Sequence, residues 1–179
     1  TSFRLKLPLT LMIIPALIIQ NNGSHFAIPQ ANLLELIHLE GEQIHTQIER
    51  ALDATVLHLR NQLLPLIELN TLLGLPTPSV RDEVNIVAIQ ANDRSLGVIV
   101  DRIVDTEEGV VKPLGMLLRK ITTYAGATIM GNGDVALILD AAGLMRQLSL
   151  SASLERRMFG EQEVTKEEVV AEQELLLVI

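Results

Sequence analysis

The sequence predicts an all-β fold built from two small barrels, and two observations lead to this prediction. Four hairpin patterns follow one another along the chain, each with Asn, Asp or Gly at its tip between apolar runs. The chain also repeats itself at an offset of 70 residues, so that Ile19-Gln20-Asn21-Asn22 aligns with Ile89-Gln90-Ala91-Asn92. Each copy supplies two hairpins and a connecting strand, and five short strands suit a small closed barrel with few exposed edges.

The hairpins are predicted from their turn residues, because Asn and Gly accept the positive φ angles that tight hairpin turns require. Asn-Gly between apolar runs is the strongest of these signals, and Asn22-Gly23 and Asn132-Gly133 provide it in the first and last hairpins. The four predicted hairpins span residues 16–29, 56–67, 84–101 and 127–140.

The segments between the hairpins are less regular. Residues 1–7 alternate apolar and polar side chains, which is typical of a half-buried strand, and Pro8 ends that strand. Residues 33–59 have a helical spacing in strand-rich surroundings, so helix and short strands both stay open there. Residues 66–75 predict a strand that continues into one helical turn, and residues 75–83 predict a linker with two prolines.

Composition excludes several classes of site. The chain has 179 residues, a net charge of -8 and no cysteine, which allows one domain or two small ones and excludes disulfides and cysteine-based metal sites. The acidic balance argues against binding to nucleic acid, which normally requires a basic surface. Aromatic residues make up 2% of the chain, which leaves no platform for stacking bases.

A high apolar content raises the question of a membrane segment. Apolar residues make up 48% of the chain, and the longest apolar stretch spans residues 7–19. A membrane-spanning helix needs about 20 residues, so this stretch is too short to cross a bilayer. Arg4 and Lys6 precede it as in a signal peptide, but no small-residue cleavage site follows. Because the first residue is Thr1, we expect the chain to be a piece of a longer protein.

The sequence shows no recognisable catalytic constellation. The histidines have no metal-binding spacing and are interpreted as surface or hydrogen-bonded side chains. They are His25, His38, His45 and His58. Gly131-Asn132-Gly133 lies between two predicted strands rather than before a helix, so it predicts a hairpin turn and not a phosphate loop.

The surplus of apolar residues instead favours a protein-binding module, because contiguous exposed apolar patches mark protein–protein sites. One candidate surface is the tip of the second hairpin, where polar residues lie between two apolar arms; the other is the uninterrupted apolar run of the third hairpin. The candidate partner-binding residues are Leu59, Arg60, Asn61, Gln62, Leu63, Leu96, Val98, Ile99 and Val100. Side chains of a strand alternate between faces, so one face of the apolar run fills a barrel. The other face meets either the neighbouring barrel or a partner.

Five sequence segments carry a further signal. They are TSFRLKLPLTLMIIPALII, HFAIP, LHLRNQLLPLIELNTLLG, LGVIVDRIVDTEEGVVKPLG and ATIMGNGDVALILDAAGLM. Together, and in this order, they resemble the regulatory domain of CheA chemotaxis histidine kinases. The resemblance covers residues 1–148, and Asn61 replaces a usual glycine.

The resemblance implies a CheW-like fold of two tandem SH3-like barrels, at about residues 10–75 and 84–148. It also implies that residues 1–9 are the last strand of a kinase ATP-binding domain. Because Pro8 interrupts the strand ladder, we predict that Leu9, Thr10, Leu11 and Met12 form a hinge. Residues 151–179 contain seven acidic and three basic residues and end in an apolar run. We interpret them as an acidic linker and the start of a following domain.

The implied function is docking. CheW-like domains of this kind bind the CheW adaptor and the cytoplasmic tips of chemoreceptors, and so place a kinase under receptor control. This fragment would then catalyse nothing and hold no cofactor or metal, whereas the parent would use ATP and Mg²⁺. The parent would form a homodimer through a domain absent here, and would lie in the cytoplasm at membrane-associated receptor arrays without inserting into the membrane.

Two other functions are considered from the sequence. A free-standing adaptor of the CheW type would share the barrels, but it would lack a kinase strand before the hinge. An unrelated small-barrel enzyme would need an acid–base or metal cluster, and the sequence offers no spacing of that kind.

Overall fold

The computed structural model describes residues 12–51, 54–60, 62–78, 81–115, 118 and 121–149. Two very short helices and one longer helix, residues 141–149, accompany the strands in this part of the chain. The strands and short helices are β1 (Ile13–Asn21), β2 (Ser24–Pro29), β3 (Leu33–Glu40), α1 (Glu42–Gln47), β4 (Ile48–Ala51), β5 (Ala54–Leu59), β6 (Gln62–Glu68), α2 (Leu69–Leu72), β7 (Glu83–Ala91), β8 (Arg94–Val100), β9 (Arg102–Val110), β10 (Tyr124–Ile129) and β11 (Val135–Leu139). The third helix, residues 141–149, is α3. The predicted strand at residues 1–7 and the acidic segment at residues 151–179 lie outside the described residues.

All four predicted hairpins are confirmed, as β1–β2, β5–β6, β7–β8 and β10–β11. Their tips have the backbone that the turn residues predict: Asn22, Asn92 and Asp93 have φ angles of 46°, 50° and 60°. Residues 33–59 combine both open alternatives, because strand β3 is followed by the short helix α1 and then by strands β4 and β5. The strand and the helical turn predicted before Gly74 are confirmed as β6 and α2.

The repeat is also visible in the fold, since β1 and β7 have the same length and β3, β5 and β6 correspond to β9, β10 and β11. The strands form two sheets of five and six strands. The first sheet has the order β10-β11-β2-β1-β9, and the second has the order β3-β7-β8-β6-β5-β4. The all-β fold class of two curled, barrel-like sheets is therefore confirmed.

The predicted boundaries of the two barrels, residues 10–75 and 84–148, do not match the two sheets. The first hairpin pairs with β9 of the second copy, and β3 of the first copy pairs with β7. The chain crosses to the second sheet through a 3-10 turn at Gln30–Asn32, where the Asn32 side-chain amide donates to the Gln90 carbonyl at 3.0 Å. It crosses back at Asp101, between β8 and β9. Each barrel therefore combines strands from both copies.

Apolar side chains on both faces of the central strands explain this exchange. In β1, Ala16 and Ile18 fill the interior of the first sheet, whereas Leu17 and Ile19 pack into a cluster shared by the two sheets. In β7 the pattern repeats, with Ile86 and Ala88 inside the second sheet and Val87 and Ile89 in the shared cluster. Alternation with period two thus gives each central strand two cores. Part of the high apolar content is buried between the two barrels.

Candidate docking surface

An open groove of about 510 Å³ lies on the second sheet, at the tip of the β5–β6 hairpin. Leu59, Arg60, Gln62 and Leu63, which the sequence predicts as partner-binding residues, all line this groove. Leu34 and Glu35 of β3 line it as well. Asn61, which the sequence also predicts as a partner-binding residue, lies outside the described residues.

Exposed leucines give the groove an apolar surface. Leu63 is 58% exposed and Leu34 is 50% exposed, and Leu36 beside Leu34 on the same face of β3 is 45% exposed. β3 is an edge strand of the second sheet, and its side chains alternate between an inner and an outer face. Large apolar side chains clustered on an outer face are typical of a protein–protein contact.

A charged pair lies at the rim of the groove. The Arg60 guanidinium donates to Glu35 Oε1 at 2.8 Å, joining the β5–β6 turn to β3. Arg60 has a φ angle of 45°, the left-handed conformation expected at a tight turn. An apolar centre with a polar rim is the usual anatomy of a protein–protein interface.

Three of the four β8 residues in the predicted partner-binding set are not on the surface, contrary to the sequence-based prediction. Leu96, Val98 and Val100 are fully buried in the cluster shared by the two sheets. The reason is topological, because β8 is an interior strand with β7 on one side and β6 on the other. Ile99 is half-buried against the core of the second sheet. The second apolar face of β8 therefore meets the neighbouring barrel, the alternative that the sequence left open.

A buried polar network joins the two sheets next to this shared cluster. The Asn21 side-chain amide donates to Asn70 Oδ1 at 2.9 Å, and the Asn70 amide donates to Asp101 Oδ1 at 2.8 Å. Both asparagines are completely buried, and the backbone N–H of Asn22 donates to Asp101 Oδ2 at 2.8 Å. Arg81 forms ion pairs with Asp101 and Glu68. Sequence reasoning missed these residues, which lie far apart along the chain.

The network has a structural consequence for the site. Asn21 belongs to the first sheet, Asn70 follows β6 of the second, and Asp101 is the residue at which the chain crosses between them. Buried amide groups need partners in fixed directions, so the network selects one relative orientation of the two barrels. That orientation fixes the position of the groove relative to the first sheet.

Known proteins similar to this chain place it in a family. Residues 15–149 match the family described as CheW-like domain. The chain belongs to the CheW-like domain family. The resemblance inferred from the sequence motifs is thereby confirmed, and the match covers both sheets of this CheW-like domain.

A sensor histidine kinase and a chemotaxis protein are among the relatives of this CheW-like domain. It is 35% identical over 146 residues to the sensor histidine kinase CheAY of Helicobacter pylori, and 34% identical over 150 residues to the chemotaxis protein CheA of Treponema pallidum. Each match covers 81% of this chain. The chain spans 18% of the length of each of these two relatives.

A solved structure of the scaffolding protein TtCheW from Thermoanaerobacter tengcongensis has the same fold. The TM-score is 0.61 at 12% sequence identity, and the match covers 72% of this chain and 90% of TtCheW. At that identity the likeness establishes the fold. Within the described residues, no helix has the length and apolar character needed to cross a bilayer.

The hinge predicted at Leu9, Thr10, Leu11 and Met12 stays a prediction. Leu9, Thr10 and Leu11 lie outside the described residues. Met12 is described and is 60% exposed, and its carbonyl oxygen accepts a hydrogen bond of 2.9 Å from the N–H of Val111. This contact connects the start of β1 to the segment that follows β9.

Proposed function

We propose that this CheW-like domain is the regulatory domain of a CheA-type chemotaxis kinase, which binds the CheW adaptor and chemoreceptor tips and so couples receptor state to kinase autophosphorylation. The exposed leucine groove of the second sheet carries the proposal, because it is a preformed apolar surface with a charged rim. The similarity to a sensor histidine kinase and to a chemotaxis protein supports a role for that surface in chemotaxis signalling.

The relatives favour a kinase domain over a free-standing adaptor. The proteins named CheA or CheAY that are described above share 34% to 35% of aligned residues with this chain, over 81% of its length. Within such a kinase this domain binds partners and catalyses nothing, and ATP and Mg²⁺ act in the parent's other domains. The parent is a homodimer through a domain other than this one. It works in the cytoplasm at membrane-associated receptor arrays.

The chemistry of the groove suits a partner with an apolar ridge. Leu34 and Leu63 supply the buried centre of the contact, and Arg60 and Gln62 supply polar contacts at the rim. A stable contact of this kind buries about 800 Å² per partner, and a few central side chains dominate its free energy. Leu63 is the most exposed of the groove leucines, so its contribution to binding is the most direct to test.

Replacing Leu63 by Glu tests the proposed docking surface. We expect L63E to bind a purified CheW adaptor at least tenfold more weakly than the unchanged chain, because a charge would be desolvated in an apolar contact. Isothermal titration calorimetry measures the affinity, and circular dichroism checks the fold. Leu63 is a better position than Ile99, whose side chain packs against the core of the second sheet.

The matched control is V135E. Val135 is 61% exposed and also lies on a strand, but on the first sheet, so this variant adds the same charge away from the groove. We expect V135E to keep its affinity for the adaptor. Undiminished binding by a folded L63E variant would show that the groove does not dock the adaptor.

A further inference from the structure

A cluster of three metal-ligating side chains lies on the second sheet, outside the groove. His38 and Glu40 are on the outer face of β3, and Glu83 on β7 is directly opposite Glu40 in the ladder. One ligand atom from each of the three side chains lies within 4.8 Å of the other two. All three residues are exposed, so an ion from solvent can reach them.

A neighbour outside the cluster fixes the orientation of the histidine. Asn85 Nδ2 donates to the Asp101 carbonyl at 3.2 Å, which leaves Asn85 Oδ1 directed at His38 Nδ1, 2.9 Å away. Since Oδ1 only accepts, His38 Nδ1 carries the proton and donates to it. A metal-binding histidine commonly donates its second ring N–H to such an oxygen.

The other ring nitrogen faces the carboxylates. His38 Nε2 is 2.8 Å from Glu40 Oε1. The imidazole nitrogen and the carboxylate oxygen therefore face each other, as two ligands of one ion would.

The charges around the cluster also favour a cation. Glu40 and Glu83 are directly opposed on neighbouring strands, where like charges repel, and Asp82 is adjacent to Glu83. Arg81 lines the same cavity as the two glutamates, but its ion pairs are with Glu68 and Asp101. A divalent ion held by both glutamates would relieve the repulsion and link β3 to β7.

We propose that His38, Glu40 and Glu83 form a binding site for a divalent metal ion of the zinc class. One imidazole nitrogen and two carboxylate oxygens are ligands that zinc accepts, and three protein ligands leave a fourth position for water. Ligand atoms around zinc lie about 3 to 3.5 Å apart, given metal–ligand distances of about 2.0 to 2.2 Å. To reach that spacing, rotations of the exposed side chains would lengthen the 2.8 Å contact between His38 Nε2 and Glu40 Oε1 and shorten any longer separation within the 4.8 Å cluster.

The chain contains a matched control for this proposal. His58 Nε2 is 2.9 Å from Glu49 Oε2, so this pair repeats the contact between His38 and Glu40 on strands β5 and β4. Among the described residues, the pair has no third imidazole or carboxylate within the same range. A histidine–glutamate pair alone should bind zinc far more weakly than a three-ligand site.

Titrating the full chain with Zn²⁺ alone, by isothermal titration calorimetry, tests the site. We expect H38Q and E83Q each to weaken binding at least tenfold relative to the unchanged chain, and H58Q to leave it unchanged. We also expect Zn²⁺, but not Mg²⁺, to raise the melting temperature of the unchanged chain, because a ligand bound to the folded state stabilises it. The increase should be absent in H38Q.

Two results would overturn the proposal. Unchanged zinc affinity in either H38Q or E83Q would show that the three side chains do not act as one site. An equal loss of affinity in H58Q would indicate an adventitious ion only.

Discussion

Replacing Leu96 by Ala should lower the free energy of unfolding by about 2 to 5 kcal/mol, the range found when a buried leucine is truncated. The Leu96 side chain is completely buried in the cluster shared by the two sheets, so neither solvent nor a partner contacts it. The variant leaves a cavity where β8 packs against the first sheet. Urea denaturation followed by circular dichroism measures the loss.

Leu63→Ala provides the comparison for this variant. It removes the same atoms from a side chain that is 58% exposed, so we expect a change within about 0.5 kcal/mol. If both variants lost the same small amount of stability, Leu96 would not lie in a packed core. The assignment of β8 to the contact between barrels would then be wrong.

Replacing Asn70 by Ala should lower the free energy of unfolding by about 3 kcal/mol, because it leaves buried polar groups without partners. Asn21 Nδ2 loses its acceptor, and the Asp101 carboxylate loses one donor. Asn132→Ala is the control, since Asn132 forms its side-chain hydrogen bonds to Asp134 at an exposed turn. We expect it to cost less than about 1 kcal/mol. Equal losses from the two variants in urea denaturation would contradict a buried network between the sheets.

Local turn chemistry explains why the hairpins are predictable from the sequence. A tight turn is fixed by its own few residues, such as Asn22 and Gly23, and the apolar runs beside it need only pair with each other. The exchange of β3 and β9 between the two copies is different. This exchange depends on which distant strand completes each sheet. A repeat at a constant offset is compatible both with strands that pair within their own copy and with strands that pair with the other copy. Only the apolar residues on both faces of β1 and β7 indicate that each strand borders two cores.

The same distinction applies to the docking surface. The β5–β6 tip is recognisable because Arg60 and Gln62 lie between two apolar arms. Leu34 and Leu36 were missed because the helical spacing within residues 33–59 hides the alternation of β3. For Val98, strand alternation could not distinguish a partner from the neighbouring barrel. Glu83 could not be connected to His38 from the sequence, since only the pairing of β3 with β7 brings them together.

The most direct test of the proposed docking groove is a methyl NMR footprint of a CheW adaptor on this chain. Leucine and valine methyl groups are labelled, and unlabelled adaptor is added. The groove assignment predicts shifted or broadened signals from Leu34, Leu36 and Leu63, with Val104 and Val135 of the first sheet unchanged. Changes confined to Val104 and Val135, with the three leucines unaffected, would contradict it.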